Sequence, residues 1–452
     1  MTPVDNILGK RTLKGPREVS GMGLLGFEIL NIKGVAVVLL GGILLYAAYN
    51  IFYNLVLHPL AAFQGPLLWR ASRIPWTLSL LRGKLVLDSP KMHKEYGPVV
   101  RVAPNELARG MYGVPAFLPP HLQNTTNKEH HRALRKALAP GFSDASLRVQ
   151  ESVMAEYIHL LIRRLKEKSK NGALNLELWY RYVIFDIICE LAVGESFRCL
   201  ESDDVHPWIQ AIVDGGKAVS FLTAINMYGP LATAINAMEC NMDELLSNAT
   251  VIVGAGAETS AGTLTAVTSL LIDSPEKLEK LTEEVRSAFQ SESQITAQAV
   301  SRLPYLVACL DESLRLFPQS GSPSLRVADR DTVIGGVPVP KNTIVGIWTY
   351  AMYRDPTLWT DPNEFHPERF LGDPKYSNDV REAFKPFFTG SRDCIGQNLA
   401  LLEMRLILAH MVFNFDMSRT DDPNSENWVS KQKNAYIVWE KTPLPVQLTP
   451  VR

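Results

Sequence analysis

Two long stretches of the chain carry almost no charge, and they set its expected organisation. No charged residue lies between Lys33 and Arg70. Within that stretch, residues 34–53 (GVAVVLLGGILLYAAYNIFY) are long enough to span a bilayer, which takes roughly 20 apolar residues. Residues 245–272 hold a single charged residue, Glu258. Such a helix either spans a membrane or is buried on every side, and an acid at its midpoint favours a buried helix that serves a ligand.

The first stretch predicts a membrane anchor followed by a linker. We divide the chain into an N-terminal segment (1–33), a transmembrane anchor (34–54), a proline-containing linker (55–70) and one large domain (71–452). Pro59 and Pro66 stiffen the linker because proline restricts its own backbone and that of the preceding residue. A cleaved signal peptide fits less well, since the apolar run is too long and starts too far into the chain. A buried core helix is the alternative for the anchor.

The remaining pattern is mostly helical with a smaller β region. Apolar residues recur three or four apart through 399–413, and helical patterns over 129–142 and 303–318 each end near a proline. Residues 324–347 alternate in polarity and turn at two adjacent glycines, which predicts a β-hairpin. Residues 414–452 predict a short terminal sheet.

Composition narrows the possible functions. The chain has 46 Lys and Arg against 47 Asp and Glu, so no basic excess points to nucleic acid. Its five cysteines are odd in number and form no CxxC pair, which argues against a disulfide framework or a zinc site and predicts a reducing compartment. Five positive residues precede the anchor, and only Arg70 and Arg73 follow it closely. By the positive-inside rule, the N-terminus would lie in the cytosol.

The strongest chemical pattern lies between Phe387 and Gly396. Cys394 sits between glycines just before a predicted helix, where backbone N–H groups and the helix dipole favour an anion. This position predicts a lowered thiol pKa and a thiolate, the form that binds metal. Arg392 is a fixed cation suited to a carboxylate, and Gly390 can adopt backbone angles closed to other residues. Without the surrounding motif, Cys394 would more often be a buried structural cysteine.

The whole loop, Phe-x-x-Gly-x-Arg-x-Cys-x-Gly, resembles the heme-binding loop of the cytochromes P450. The resemblance implies that Cys394 is the axial thiolate ligand of the iron in heme b (iron protoporphyrin IX). It also implies that Phe387, Arg392 and Gly396 bind this cofactor. A thiolate ligand donates electron density that favours O–O cleavage. The likeness covers roughly residues 58–450 and is greatest to fungal microsomal P450s of secondary metabolism.

Two further motifs imply groups that hold the heme carboxylates. His131 and Arg135 are four apart and share one helical face, and Arg326 stands at the start of the hairpin. In the family such residues pair with the heme propionates. Spacing alone would favour an exposed basic helix for the first two.

The centre of the second apolar stretch, Ala-Gly-Ala-Glu-Thr-Ser, resembles the oxygen-activating helix of P450s. The resemblance implies that Thr259 positions oxygen, that Glu258 serves proton delivery, and that Gly256 allows close approach of the cofactor. The alternative for Thr259 is a hydroxyl bonded back to the Ala255 carbonyl.

A third pair of motifs implies support beneath the heme. Glu312 and Arg315 are three apart, and such pairs are usually exposed bridges that contribute little. In P450s this Glu-x-x-Arg is buried and joined by an arginine from a downstream Pro-Glu-Arg-Phe, which here supplies Arg369. We expect these three residues to be structural.

The resemblance implies a mainly α P450 fold with a smaller β region behind an N-terminal transmembrane helix. It implies a heme-thiolate monooxygenase that inserts one oxygen atom from O2 into a hydrophobic small molecule of terpenoid, polyketide or alkaloid type. Electrons would come from a separate NADPH–cytochrome P450 reductase, which could meet basic groups near the thiolate side (Arg135, Lys136, Lys385 and Arg405). The expected location is the endoplasmic reticulum membrane with the catalytic domain facing the cytosol, against the count of positive residues.

Two alternatives stay open. One is a P450-fold isomerase or dehydratase that acts on a peroxide without a reductase, although the intact Glu258 and Thr259 count against it. The other is a non-catalytic protein that binds heme or lipid.

Two intervals are short for the family. Residues 105–131 leave little room for a B–C loop, and residues 208–242 are too few for a full F–G helix pair. In P450s these regions form the roof of the substrate pocket. The expectation is a complete heme cradle under a shortened roof, with loose substrate binding and high uncoupling, unless the short form is a product of splicing or of the gene model.

Overall fold

The structure is a computed structural model that describes residues 22–107, 122, 123, 125, 127–202, 206, 207, 244–321, 325–435 and 438–451. The chain divides into two compact units, Met1–His58 and Pro59–Arg452. Most of the described residues are helical and the sheets are small, which confirms the mainly α prediction. The core of both short intervals, residues 108–121 and 208–243, lies outside the described residues.

Three helices carry the residues of interest, and we call them the basic helix (Lys128–Leu138), the central helix (Glu244–Ile272) and the cysteine helix (Gln397–Asn414). The other described α-helices are Met22–Phe52, Leu67–Ala71, Ile74–Leu81, Leu85–Tyr96, Asp144–Lys168, Leu176–Val193, Cys199–Ser202, Pro275–Ala288, Ala297–Val300, Pro304–Leu316, Thr349–Met352 and Trp428–Lys431. Short 3-10 helices are Ala139–Phe142, Ser169–Asn171, Glu292–Gln294, Pro367–Phe370, Pro374–Tyr376, Arg381–Ala383 and Pro423–Ser425.

The described strands form four small sheets. They are β1 (Arg101–Ala103), β2 (Glu106–Leu107), β3 (Leu174–Asn175), β4 (Arg326–Val327), β5 (Thr332–Ile334), β6 (Val337–Val339), β7 (Ile344–Val345), β8 (Phe415–Arg419), β9 (Lys433–Ala435), β10 (Val438–Glu440) and β11 (Pro445–Pro450). The sheet orders are β1-β2-β7-β4, β3-β11-β8, β5-β6 and β9-β10. Gly335 and Gly336 join β5 to β6 with φ of 56° and 77°, angles that suit a tight hairpin turn. The predicted hairpin and terminal sheet are therefore confirmed.

The N-terminal unit contains one long helix, Met22–Phe52, which ends in a single π-helical turn, Tyr53–Leu57. Residues 33–57, which include the end of this helix and the π-helical turn, have a mean hydropathy of 2.1, and their most hydrophobic part is not buried in the protein. The helix starts well before the predicted anchor because residues 22–33 contain no proline to end it. Among the described residues, this is the one helix long and apolar enough to cross a membrane.

The central helix is the core of the second unit. Its C-terminal half is buried on successive positions, including Leu264, Val267 and Leu271, and it packs against the helix Leu176–Val193. One polar group in this half has a partner on that neighbouring helix: the Thr268 hydroxyl lies 2.9 Å from the Tyr180 hydroxyl. The structure therefore decides between the two sequence alternatives: this helix is buried by protein.

The predicted linker packs on the first sheet from Leu60 onward. Leu60 is buried with Leu107 and Val345, and its carbonyl accepts a hydrogen bond from the buried Arg101 guanidinium at 3.1 Å. At Gly65 a Cβ would lie 2.2 Å from the Arg101 carbonyl oxygen, so only glycine fits this close approach. This part of the segment therefore belongs to the second unit.

Candidate active site

The loop Phe387–Gly396 turns sharply before the cysteine helix. Phe388 and Gly390 have φ of 61° and 86°, so the glycine occupies a left-handed angle, as its place in the motif predicts. The Cys394 N–H donates to the Phe387 carbonyl at 2.9 Å and closes the loop. Gly396 then caps the cysteine helix with φ of −87°. Any residue can adopt this angle, and a Cβ added at Gly396 would lie 4.0 Å from the Cys394 sulfur, an ordinary van der Waals contact. Neither the backbone nor the space requires glycine at this position.

Cys394 is exposed, whereas the other described cysteines, Cys189, Cys199 and Cys309, are buried. The interpretation as a buried structural cysteine therefore does not hold. The prediction of a lowered thiol pKa was wrong for the protein alone: although the residue is partly open to solvent, the protein atoms packed around it desolvate the thiolate and raise the pKa of Cys394. The Gly396 N–H and the Arg135 charge lower the pKa, but they do not outweigh this desolvation.

Three residues of the predicted site, two arginines and a histidine, come together beside this loop. His131 is buried, and its pKa is lowered first by burial and then by the charges of Arg392 and Arg135. Arg392 donates to the Thr125 carbonyl at 2.9 Å. Arg135 donates to the Asp393 carbonyl at 2.8 Å and also binds the Asp393 carboxylate, which ties the basic helix to the cysteine loop. The two arginine charges beside the buried imidazole would favour the anionic carboxylates of a bound ligand.

The sequence explains how the basic helix presents these residues. Asn127 caps its N-terminus, and the side-chain oxygen accepts from the N–H groups of Glu129 and His130 at 2.9 and 3.1 Å. Arg326, the second predicted propionate ligand, lies on β4 and donates to its neighbouring Leu325 carbonyl at 3.0 Å. Arg326 is not among the charges that shift the pKa of His131.

The central helix is partly exposed at residues 255–260, which the sequence singled out for their chemistry. Ala255 is exposed and Thr259 half-buried, although Val253 and Ala257 on the same turns are buried. An exposed alanine in the middle of an otherwise buried helix marks open space beside it. The Thr259 hydroxyl donates to the Ala255 carbonyl at 2.8 Å, so the bond considered as the alternative does form. The Thr259 hydroxyl oxygen can still accept a hydrogen bond from a bound ligand.

Gly256 borders the helix Leu176–Val193. A Cβ at this position would lie 3.2 Å from the Cδ1 atom of Ile188, a tight contact that a side-chain shift could relieve. Gly256 therefore allows close packing of these two helices, whatever else it allows on the open side.

Glu258 is held by two cations that the sequence did not point to. The Lys441 ammonium lies 2.7 Å from its carboxylate and 2.9 Å from its backbone carbonyl, and Arg181 Nε lies 3.6 Å from the second carboxylate oxygen. Burial opposes ionisation, but the two cations outweigh it and lower the pKa of Glu258. Glu177 also binds Arg181 and completes a buried chain of four charged groups. In the sequence, the only indication of this ionic chain was the opposite charge of Glu177 and Arg181, which are one helical turn apart.

A second buried acid faces the central helix. Glu403 on the cysteine helix is 1% exposed, and burial raises its pKa to about 8. Ser260 lies close enough to lower this pKa in part, without a hydrogen bond of good geometry. In the sequence, the position of Glu403 within the apolar pattern of residues 399–413 indicated that this acid could be buried.

Glu312, Arg315 and Arg369 form a buried ionic cluster. Arg315 contacts both carboxylate oxygens of Glu312, at 2.7 and 2.8 Å, and Arg369 Nε lies 3.0 Å from Glu312. Arg369 also binds Asp379, and Arg315 donates to the Tyr353 and Pro362 carbonyls. All three side chains are buried, and their bonds tie the helix Pro304–Leu316 to the segment around residue 369.

Comparison with known proteins assigns the family. The family model described as Cytochrome P450 matches residues 118–239 and 226–439. Together with the relatives below, this match shows that the chain belongs to the cytochrome P450 family. It is a monooxygenase, an oxidoreductase that acts on paired donors with incorporation of molecular oxygen, and membership implies a heme-thiolate cofactor.

Several curated fungal proteins are similar over nearly their whole length. Cytochrome P450 monooxygenase tpeC of Talaromyces stipitatus is 37% identical, covering 95% of this chain and 97% of its own. Averantin hydroxylase of Dothistroma septosporum is 36% identical, covering 91% and 90%. Averantin hydroxylase of Aspergillus parasiticus is also 36% identical, covering 88% and 94%.

Proposed function

We propose that this chain oxidises a hydrophobic small molecule of fungal secondary metabolism, of terpenoid, polyketide or alkaloid type, with electrons from a separate NADPH–cytochrome P450 reductase. The observation that carries the proposal is the cluster of Arg135, Arg392 and the buried His131 beside the loop that holds the exposed Cys394. The open segment of the central helix around Ala255 supports it. The relatives' printed names, which include averantin hydroxylase, support a substrate from secondary metabolism.

The residues present fit heme b. Cys394 would ligate the heme iron and Phe387 and Gly396 would bind the cofactor, while His131, Arg135, Arg392 and Arg326 would hold its propionates. When bound, a heme with a thiolate ligand supplies the oxygen-cleaving chemistry. The raised pKa of Cys394 is compatible with this role, because a coordinating thiol is deprotonated by the metal itself.

The central helix supplies the polar groups of the site. Thr259 would accept a hydrogen bond at its hydroxyl oxygen while it donates to Ala255, which positions oxygen. Glu258 would serve proton delivery as a carboxylate, because Lys441 and Arg181 keep it ionised. The exposed Ala255 would border the apolar substrate, and Gly256 would allow close approach of the cofactor.

An exposed basic surface would meet the reductase. Lys136 and Lys385 are exposed and Arg135 is half-buried, so these residues can support contact with an acidic partner. Arg405 is the weakest candidate among the four predicted residues. It is half-buried beside Asp311, and burial lowers the pKa of its guanidinium. The helical pattern alone did not show which side of the cysteine helix Arg405 occupies.

The N-terminal helix fits a membrane anchor. We place the protein in the endoplasmic reticulum membrane with the second unit facing the cytosol, where the reductase would meet it. Protease digestion of intact microsomes should then degrade the second unit. Protection of that unit until detergent is added would instead support the orientation that the positive residues predict.

The alignments support a shortened roof. The match to tpeC extends over 498 positions, although this chain has only 452 residues and contributes about 430 of them, so roughly 70 positions have no counterpart here. The two segments matched by the family model overlap at 226–239, inside the short F–G interval. We therefore expect weak substrate binding and poor coupling of NADPH to product in this form. Reinsertion of transcript-supported residues at the two junctions should raise coupling, and tight coupling without them would overturn this expectation.

The CO-difference spectrum tests the central assignment. Cys394→Ala should abolish the red-shifted Soret band of the ferrous–CO complex, because it removes the thiolate from the heme loop. Cys309→Ala is the matched control and should keep the band, since that cysteine is buried away from the loop motif. Reductase-supported NADPH consumption, with and without an apolar substrate, then separates a monooxygenase from a reductase-independent isomerase or a non-catalytic binding protein.

A further inference from the structure

Outside the heme-binding motifs, three potential metal ligands from distant segments come together. His159 lies on the helix Asp144–Lys168, Glu292 opens the turn Glu292–Gln294, and His410 lies on the cysteine helix. Each offers one ligand atom, and these atoms all lie within 4.8 Å of one another. The helix rise of 1.5 Å per residue puts His410 about 20 Å along the cysteine helix from its start, so the cluster is separate from Cys394.

His410 has the features of a preformed ligand. His410 is 2% exposed, and its Nδ1 atom is buried without a hydrogen-bond partner. The His410 ring lies edge-on to the His159 ring, with the ring centroids 5.5 Å apart. A buried polar atom left unpaired is costly, so such atoms call for an explanation. Burial and the neighbouring His159 lower the pKa of His410 to about 3, so the imidazole stays neutral and can offer a lone pair.

The other two ligands can adjust to a cation. Nitrogen ligands bind zinc at about 2.0–2.1 Å, so in a tetrahedral site the ligand atoms stand about 3.3 Å apart. His159 is exposed and Glu292 is half-buried, which leaves both side chains free to close the remaining distance. The Glu292 carboxylate now faces Lys166 at 3.4 Å, and both side chains are 30% exposed. Such an ion pair contributes little and can be exchanged for a metal bond.

We propose that His159, Glu292 and His410 bind a divalent transition-metal cation, with zinc as the best fit. Two imidazoles and one carboxylate are a known zinc ligand set, and they leave one position open. The site opens on a cleft of about 430 Å³ that Arg163 and Lys170 also line, so water or a small anion would fill that position. The sequence prediction of no zinc site considered only cysteines. The bound cation would clamp three segments of the second unit together.

Zinc binding by the purified, heme-loaded full-length protein tests the proposal. The protein should carry no affinity tag of histidines and should be stripped of metal with a chelator before zinc is titrated against a competing indicator. We expect one zinc per chain and a rise in the unfolding temperature that saturates at one equivalent. His159→Gln and Glu292→Gln should each weaken binding by at least about tenfold, since even loss of an outer-shell partner costs this much. Both changes are near the surface, so neither depends on refolding of the core.

His366→Gln is the matched control. His366 belongs to a second acidic cluster with Asp361 and Glu364, and its Nε2 lies 2.8 Å from the Glu364 carboxylate. It should leave zinc affinity and the thermal shift unchanged. The proposal is overturned if the wild-type chain binds no zinc, if His159→Gln binds as tightly as wild type, or if His366→Gln rather than His159→Gln removes the site. Heme content measured on each sample separates loss of zinc binding from loss of the fold.

Discussion

The ionic chain around Glu258 allows a prediction that joins stability to function. Lys441→Met removes the ammonium that lies 2.7 Å from the Glu258 carboxylate, while methionine keeps most of the apolar stem. The Lys441 side chain is 2% exposed, so water cannot replace it easily. Glu258 is then left with Arg181 at 3.6 Å.

The expected cost follows from burial. Removal of one partner from a buried ion pair costs about 3–5 kcal/mol, and because Arg181 remains we expect about 2–3 kcal/mol in the free energy of unfolding. The paired carboxylate has a lowered pKa, so its contribution is present at neutral pH and is lost as the pH falls through the folded-state pKa. The difference between wild type and Lys441→Met should therefore shrink in acid.

Chemical unfolding of the heme-loaded protein, followed by the Soret band, measures this effect. In a Glu258→Gln background, Lys441→Met should cost at least about 1 kcal/mol less, because residues in direct contact are coupled. Lys280→Met is the matched control: Lys280 pairs with Glu368 at 3.1 Å but is 57% exposed, so its loss should cost about 0–1 kcal/mol. Additive effects of the Lys441 and Glu258 changes would refute the coupling. An unchanged pH dependence of turnover in Lys441→Met would refute the link to proton delivery.

Three further predictions concern other parts of the molecule. Thr259→Ala should keep heme and substrate binding but send more NADPH to hydrogen peroxide, because the hydroxyl that positions oxygen is gone; unchanged coupling would argue against that role. Glu403→Gln should flatten the loss of stability with rising pH. The unfolded carboxyl ionises above about 4.5 while the folded one keeps its proton to about 8, so wild-type stability should fall across this window by up to about 1.36 kcal/mol per pH unit; parallel curves for both proteins would contradict it. Deletion of residues 1–57 should release the protein from carbonate-washed membranes, and partial retention would point to the exposed Leu67, Leu68 and Ile74 as a second contact.

Several features could be predicted because they depend on short stretches of chain. The loop around Cys394 combines required glycines, an arginine and a helix start within ten residues, so local geometry follows from local sequence. The two glycines between β5 and β6 determine a tight turn in the same way. An apolar run as long as residues 34–53 identifies a potential span by length alone.

Other features depend on residues that only the fold brings together. Lys441 and Glu258 are 183 residues apart in the sequence, and no local pattern predicts that they form a pair. The same is true of His159, Glu292 and His410, whose ligand atoms converge from three helical segments.

Electrostatics show the same division. Sequence correctly placed Cys394 before a helix, and this position predicted a lowered pKa, yet desolvation by the surrounding protein raises it. Arg405 has the same formal charge as Lys385, but it is half-buried beside Asp311 whereas Lys385 is exposed. Residue type and spacing therefore determined the family, the cysteine loop and the helical pattern. The tertiary structure decided which charges are buried and what they face, because burial and Coulomb energies depend on distances in space.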